Sequence, residues 1–77
     1  MRDKEILLAN LGAKIREVRS RTELTQEDVA YKSGLSRSYY SGIERGVRNV
    51  SAINLITIAL VLNVEVGELF PTKFTFE

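Results

Sequence analysis

Leu8, Leu11, Ile15 and Val18 recur at steps of three and four, the spacing of one face of an α-helix. This predicts a first helix over residues 4–21, with Asp3 placed to cap it and Arg19 and Arg21 in a last turn that favours cations. Thr25 opens the next helix, 26–33: its hydroxyl can accept from an orphan backbone N–H, and Asp28 adds negative charge to the first turn. Val29 and Ala30 face inward, and Gly34 closes this helix where the chain turns through positive φ. Ser36 caps a third helix, 37–45, after the single apolar residue Leu35. Two short helices joined so tightly must cross steeply, and small Ala30 permits the approach. At about 100° per residue, Ser36, Tyr40, Ile43 and Val47 stack on a face assigned to the core. Ser38, Gly42 and Arg45 lie opposite, flanked by Arg37 and Ser41, with Tyr39 at the boundary. Gly42 costs about 1 kcal/mol relative to alanine in a helix interior, so a bare outward position there suits something that comes close. Ser51 caps a fourth helix, 52–62, apolar nearly all round, and a fifth, 66–70, stops at Pro71. In the short tail, 71–77, Phe74 and Phe76 alternate with polar residues, the pattern of a strand or a pinned extension. The fold class is all-α.

Seventy-seven residues make one domain, 1–77, that buries roughly 60% of the surface its unfolded chain exposes. With no cysteine and no histidine, the chain has no disulfide, no thiolate or imidazole zinc site and no Ser/His or Cys/His catalytic pair. Self-association is then the expected source of extra stability. A fourth helix apolar all round is either central to a core or shared with a second molecule. Leu55, Ile58, Leu62, Val66 and Leu69 are the candidates for core and dimer contacts. The N-terminal apolar run Ile6–Ala9 ends well short of a signal-peptide core, and the most apolar stretch, Ala52–Leu62, falls well short of a membrane span, so the expectation is a cytoplasmic protein without a membrane partner. Glu17, Glu23, Glu27 and Asp28 scatter over outer faces and no phosphate-cradling glycine loop occurs, so neither an enzyme nor a cofactor or small-molecule ligand is expected.

Net charge is +1, but unevenly spread. Up to Arg48 there are ten Lys/Arg against seven Asp/Glu; from Asn49 onward Lys73 alone faces Glu65, Glu68 and Glu77. A nucleic-acid partner needs such a basic patch rather than a high average. The outer side of the third helix carries short hydroxyls, a glycine and arginines where a solvated helix would carry Glu/Lys pairs. The unit from Gln26 to Arg45 has the spacing of a helix-turn-helix, in which the first helix lies across the second and lets it project into a DNA major groove.

Two runs carry a resemblance over about residues 8 to 70: Leu24-Thr25-Gln26-Glu27-Asp28-Val29-Ala30, and Ser36-Arg37-Ser38-Tyr39-Tyr40-Ser41-Gly42-Ile43-Glu44-Arg45-Gly46. They resemble the phage-repressor and xenobiotic-response-element-type DNA-binding family, which implies a five-helix lambda-repressor-like fold. Tyr31-Lys32-Ser33, the Ser-Arg-Ser-Tyr start of the third helix and Arg48-Asn49 resemble more narrowly the controller proteins of restriction-modification systems. Those are stand-alone dimers that regulate their own gene and the endonuclease gene.

The resemblance implies roles at matching positions. Gln26 would bind a phosphate, aided by the positive end of its helix; otherwise it is a solvated first-turn residue. Arg37 would reach guanine O6 and N7 bidentately, against the alternative of a surface cation. Ser36, Ser38 and Tyr39 are base-edge or groove-wall candidates, with Tyr39 alternatively a packing residue. Ser41, Arg45, Arg48 and Asn49 would grip the sugar-phosphate backbone. Glu44 would pair with Arg19 as a structural salt bridge, since an inward carboxylate needs a partner. Gly42 stands where many relatives carry a long polar side chain that touches DNA, which moves specificity toward the start of the helix or toward DNA shape. Val50 stands where many have proline.

The function implied is a homodimeric, sequence-specific transcription regulator on an approximately palindromic operator in double-stranded DNA, with RNA polymerase as a further partner. The alternatives are a phage-type repressor, an antitoxin-like regulator, or an interaction module that keeps the fold without binding DNA.

Overall fold

The computed structural model describes residues 2–71, all of whose regular structure is helical. The α-helices are α1 (Arg2–Ser20), α2 (Gln26–Ser33), α3 (Arg37–Arg45) and α4 (Ala52–Leu62). A single 3-10 turn follows at Val66–Leu69. None of these helices is long and apolar enough to cross a membrane.

Local sequence chemistry accounts for the boundaries. Thr25 accepts from the Asp28 backbone N–H at 3.0 Å while the Asp28 carboxylate accepts from the Thr25 N–H at 2.9 Å, a reciprocal cap that starts α2. Ser36 accepts from the Tyr39 N–H at 3.0 Å and Ser51 from the Asn54 N–H at 3.1 Å, starting α3 and α4. Left-handed residues end the three helices: Gly34 for α2, Gly46 for α3 and Asn63 for α4.

Two expectations about the elements change. The first helix begins at Arg2, so Asp3 lies within its first turn and favours the helix dipole instead of capping it. The five-helix count fails: the segment expected over 66–70 is one 3-10 turn, so four α-helices are described. Only four residues lie between Glu65 and Phe70, Gly67 among them, too few to nucleate an α-helix. The tail residues Phe74 and Phe76 lie outside the described residues.

The core is one cluster drawn from every element: Ile15 and Val18 of α1, Val29 and Ala30 of α2, Tyr40 and Ile43 of α3, Leu55, Ile58, Ala59 and Leu62 of α4, and Leu69. Leu55, Ile58, Leu62 and Leu69 are thus occupied within their own chain, and of the expected dimer contacts only Val66 is exposed. Their steps of three and four put them on the inward stripe of α4 and the turn after it, which leaves the opposite stripe, Ile53, Ile56 and Leu60, in solvent. Nor do Ser36 and Val47 belong to the α3 core face. Ser36 is the extended cap and Gly46 breaks the helix before Val47, so the helical phase reaches neither; Val47 is exposed.

Gly12 sets how closely α1 packs on α3. A Cβ there would clash with the Ile43 carbonyl oxygen and stand 2.7 Å from that of Glu44. These atoms are backbone and cannot swing aside. α1 therefore lies directly against the last turn of α3, and the loss of helix propensity at glycine is offset by this approach.

Candidate nucleic-acid interface

α2 crosses the start of α3 through the turn Gly34–Ser36, in which the Leu35 N–H donates to the Ala30 carbonyl at 2.9 Å. The crossing is locked from the far end of α3 by one side chain. Glu44 is buried at 6% exposure and accepts four hydrogen bonds. Two come from Arg19 of α1, Nε at 2.6 Å and Nη2 at 3.2 Å. One comes from Gln26 Nε2 of α2 at 2.8 Å, and one from the Tyr40 hydroxyl, one turn back on α3, at 2.5 Å. Arg19 Nη1 also donates to the Leu24 carbonyl at 3.1 Å, tying in the α1–α2 connection. Three helices are joined at a single carboxylate.

Burial alone would raise the Glu44 carboxyl, but the bonds from Arg19, Tyr40 and Gln26 outweigh it and hold the group below its ordinary value of 4.5. Tyr40 moves the other way: burial first, and then its bond to Glu44, push the phenol far above its usual range, so it remains a donor. A carboxylate whose folded value is depressed contributes its full stability above the unfolded value and loses it as pH falls through the folded one. Acid unfolding is therefore expected to set in below about pH 4.5, and Glu44→Gln should flatten that limb in urea titrations at pH 3 to 6. An unchanged pH slope would show that Glu44 does not titrate on unfolding.

With the crossing locked, the first turn of α3 faces outward. Ser36, Arg37 and Ser38 are exposed. Ser36 uses its oxygen as the cap acceptor and keeps its proton free to donate. Tyr39 is half-buried against the core, and its hydroxyl donates to the Asn49 carbonyl at 2.7 Å; its ring is a packing residue and its polar tip holds the loop after α3. Ser41 is half-buried, whereas Arg45, Arg48 and Asn49 are exposed at the other end of the helix and beyond it. Gln26 is half-buried with one amide proton committed to Glu44, so a phosphate contact there would use its second proton.

Gly42 is not a bare outward position. It is buried, covered by the side chain of Arg48. What comes close is the chain itself.

Reasoning from the sequence missed three features: Gln26 and Tyr40 as partners of Glu44, the Tyr39–Asn49 bond, and the Arg48 stem over Gly42. The i to i+4 spacing of Tyr40 and Glu44 was the one available signal; Gln26 reaches Glu44 only through the crossing of α2 and α3, and the other two contacts join positions that only the loop after α3 brings together.

Comparison with known proteins agrees with this geometry. The helix-turn-helix family matches the chain over residues 15–69. The chain is 43% identical to the control protein C.MunI of Mycoplasma over 70 residues, 91% of this chain and 92% of that protein. It superposes on the crystal structure of the restriction-modification controller protein C.AhdI of Aeromonas hydrophila with a TM-score of 0.79 at 48% identity, covering 82% of this chain and 96% of that one. It also resembles SinR, a master regulator for biofilm formation solved in complex with DNA, with a TM-score of 0.72 at 33% identity, covering 77% and 95% of the two chains. Matched over most of its length, and over most of these relatives' length, the chain belongs to the helix-turn-helix family that includes the restriction-modification control proteins.

Proposed function

We propose that the protein is a sequence-specific DNA-binding transcription regulator that acts as a homodimer, and that it is the controller of a restriction-modification system, acting on its own gene and on the endonuclease gene. The observation that carries this reading is the exposed rim Arg37–Ser38 at the start of α3, held at a fixed crossing by the Glu44 cluster. Arg37 supplies the bidentate base contact and Ser36 and Ser38 short base-edge donors. Arg45, Arg48, Asn49, Ser41 and the free proton of Gln26 supply phosphate contacts. The relatives named as controllers, and the relative solved with DNA, support the same reading. Residues 1–77 act as one domain in the cytoplasm, where the DNA is, and a dimer bound beside a promoter has RNA polymerase as its neighbour.

Gel-shift titration on DNA upstream of the gene, at two salt concentrations, tests this. Tight binding should weaken with a slope of about 0.9 log units per phosphate contact for each log unit of salt. Equal binding to unrelated DNA would remove the regulator reading.

The dimer face is the outer stripe of α4. Ile53 is 71% and Leu60 73% exposed, with Ile56 between them and Val66 and Phe70 following. Paired across a two-fold axis, this stripe covers apolar area that one chain cannot cover alone. It sets two third helices about 34–36 Å apart, one turn of duplex, on an approximate palindrome. Leu60→Asp is expected to sediment as a monomer with an unchanged helical spectrum, whereas Leu62→Asp, at a position only 4% exposed, should unfold. A Leu60→Asp protein that stays dimeric would move the interface off this face.

A further inference from the structure

The loop after α3 folds back over the helix it has just left. Gly46 turns the chain through φ 77°, and the Val47 N–H then donates to the Gly42 carbonyl at 3.0 Å. Two residues later the Asn49 carbonyl accepts from the Tyr39 hydroxyl at 2.7 Å. Arg48 lies between these two anchors along the chain, one made to the sixth residue of α3 and the other to the third. Its stem covers Gly42 so closely that a Cβ at position 42 would stand 2.5 Å from Arg48 Cγ and 3.4 Å from Arg48 Cβ. Real Cβ atoms do not approach that near, so this seat exists only because residue 42 has no side chain.

Position 42 follows Ser38 by one turn and precedes Arg45 by three residues, on the side of α3 proposed to face DNA. A side chain there would project toward the duplex. Gly42 has none, and the exposed Arg48 lies over the spot instead. We infer that Gly42 is a positioning residue: it seats the Arg48 stem across the recognition helix, so that a guanidinium delivered from the loop takes the place at the DNA backbone that residue 42 leaves empty. A long side chain free in solution loses rotamer freedom when it binds. Packing the Arg48 stem in advance removes part of that loss, and the two loop anchors keep the seat in register. The inference rests on the DNA-binding reading above.

A double-mutant cycle on the full-length protein tests it, with Gly42→Ala, Arg48→Ala and the two combined. The probe is a duplex selected by the wild-type protein from a randomised pool, titrated at several salt concentrations. Arg48→Ala should weaken binding on the order of 10²-fold to 10⁴-fold, the worth of one charge-assisted hydrogen bond lost in each of two half-sites. It should also reduce the salt slope by about 1.8, because each of two subunits then neutralises one phosphate fewer. Gly42→Ala should reproduce most of both effects, and the double variant should bind no worse than Arg48→Ala alone. The salt slope is the deciding readout, because a change that only lowered the folded fraction would not move it. If Gly42→Ala folds poorly, the double variant remains informative: with the arginine stem gone the added methyl has room, and it should melt at or above Arg48→Ala. Wild-type affinity and slope in Gly42→Ala, or losses that add in the double variant, would overturn the seat while leaving the regulator reading intact. A wild-type protein that selects no duplex at all would overturn both.

Discussion

Glu44→Ala is expected to lower the unfolding free energy by about 3–5 kcal/mol, the cost of breaking a buried pair by removing one partner. The substitution leaves the Tyr40 hydroxyl, on a residue with no exposed surface, without its acceptor, and strands the Arg19 guanidinium, whose side chain is 16% exposed. A domain of this length has a total stability of about 4–12 kcal/mol at the usual 0.05–0.15 kcal/mol per residue. The loss is therefore a large part of the whole, and the melting temperature should fall by at least about 12 °C. Neither hydrophobic packing nor the helix caps change in this variant, so the deficit isolates the cluster. Thermal melts followed by circular dichroism give the result directly. A loss under about 1 kcal/mol would place Glu44 among solvated surface pairs and would remove the lock from the helix crossing.

Arg37→Ala should do the opposite: leave the fold alone and damage recognition. The side chain is exposed at the first position of α3, so its removal should change stability by no more than about 0.5 kcal/mol. On DNA, a bidentate guanine contact is worth about 1–3 kcal/mol. A symmetric dimer forfeits it twice, which corresponds to a fall in affinity on the order of 30-fold to 10⁴-fold on the selected duplex. The loss should be concentrated at one base pair per half-site, where the variant becomes indifferent. Arg37→Lys should recover little, since an ammonium cannot make the planar two-point contact. Uniform weakening across all sequences, with a shallower salt slope, would make Arg37 a phosphate contact and move base reading to other residues.

The two variants mark different layers of the molecule. Glu44 decides whether α3 is held at its angle, and Arg37 what the helix reads once it is held.

Helix positions and caps were legible in the sequence because they are local. Thr25, Ser36 and Ser51 each satisfy a backbone group within three residues, and the structure uses these three as read. Asp28, read only as first-turn charge, also closes the cap on Thr25, and Asp3 lies inside α1 rather than capping it. Helical phase was legible only as far as the helix continues. It placed Tyr40 and Ile43 inside correctly, and failed at Ser36 and Val47, which lie beyond the capped ends. On α4 nearly every residue is apolar, so hydrophobicity could not separate the stripe that packs inward from the stripe left outside. Leu62 and Leu60 differ in burial, at 4% and 73%, and not at all in type.

What the sequence determined by itself is an all-helical chain with a capped, glycine-turned helix pair presenting arginine and serine outward, because capping, turn chemistry and periodicity act between residues a few positions apart. The Arg19–Glu44 pair was implied by the family resemblance; tertiary structure alone decided that Gln26 and Tyr40 join it, that Gly42 is covered by Arg48, and which face of α4 remains uncovered. Those contacts join groups brought together by the crossing angles of whole helices and by the fold-back after Gly46. Such geometry is set by the summed packing of the core, and no short-range pattern records it.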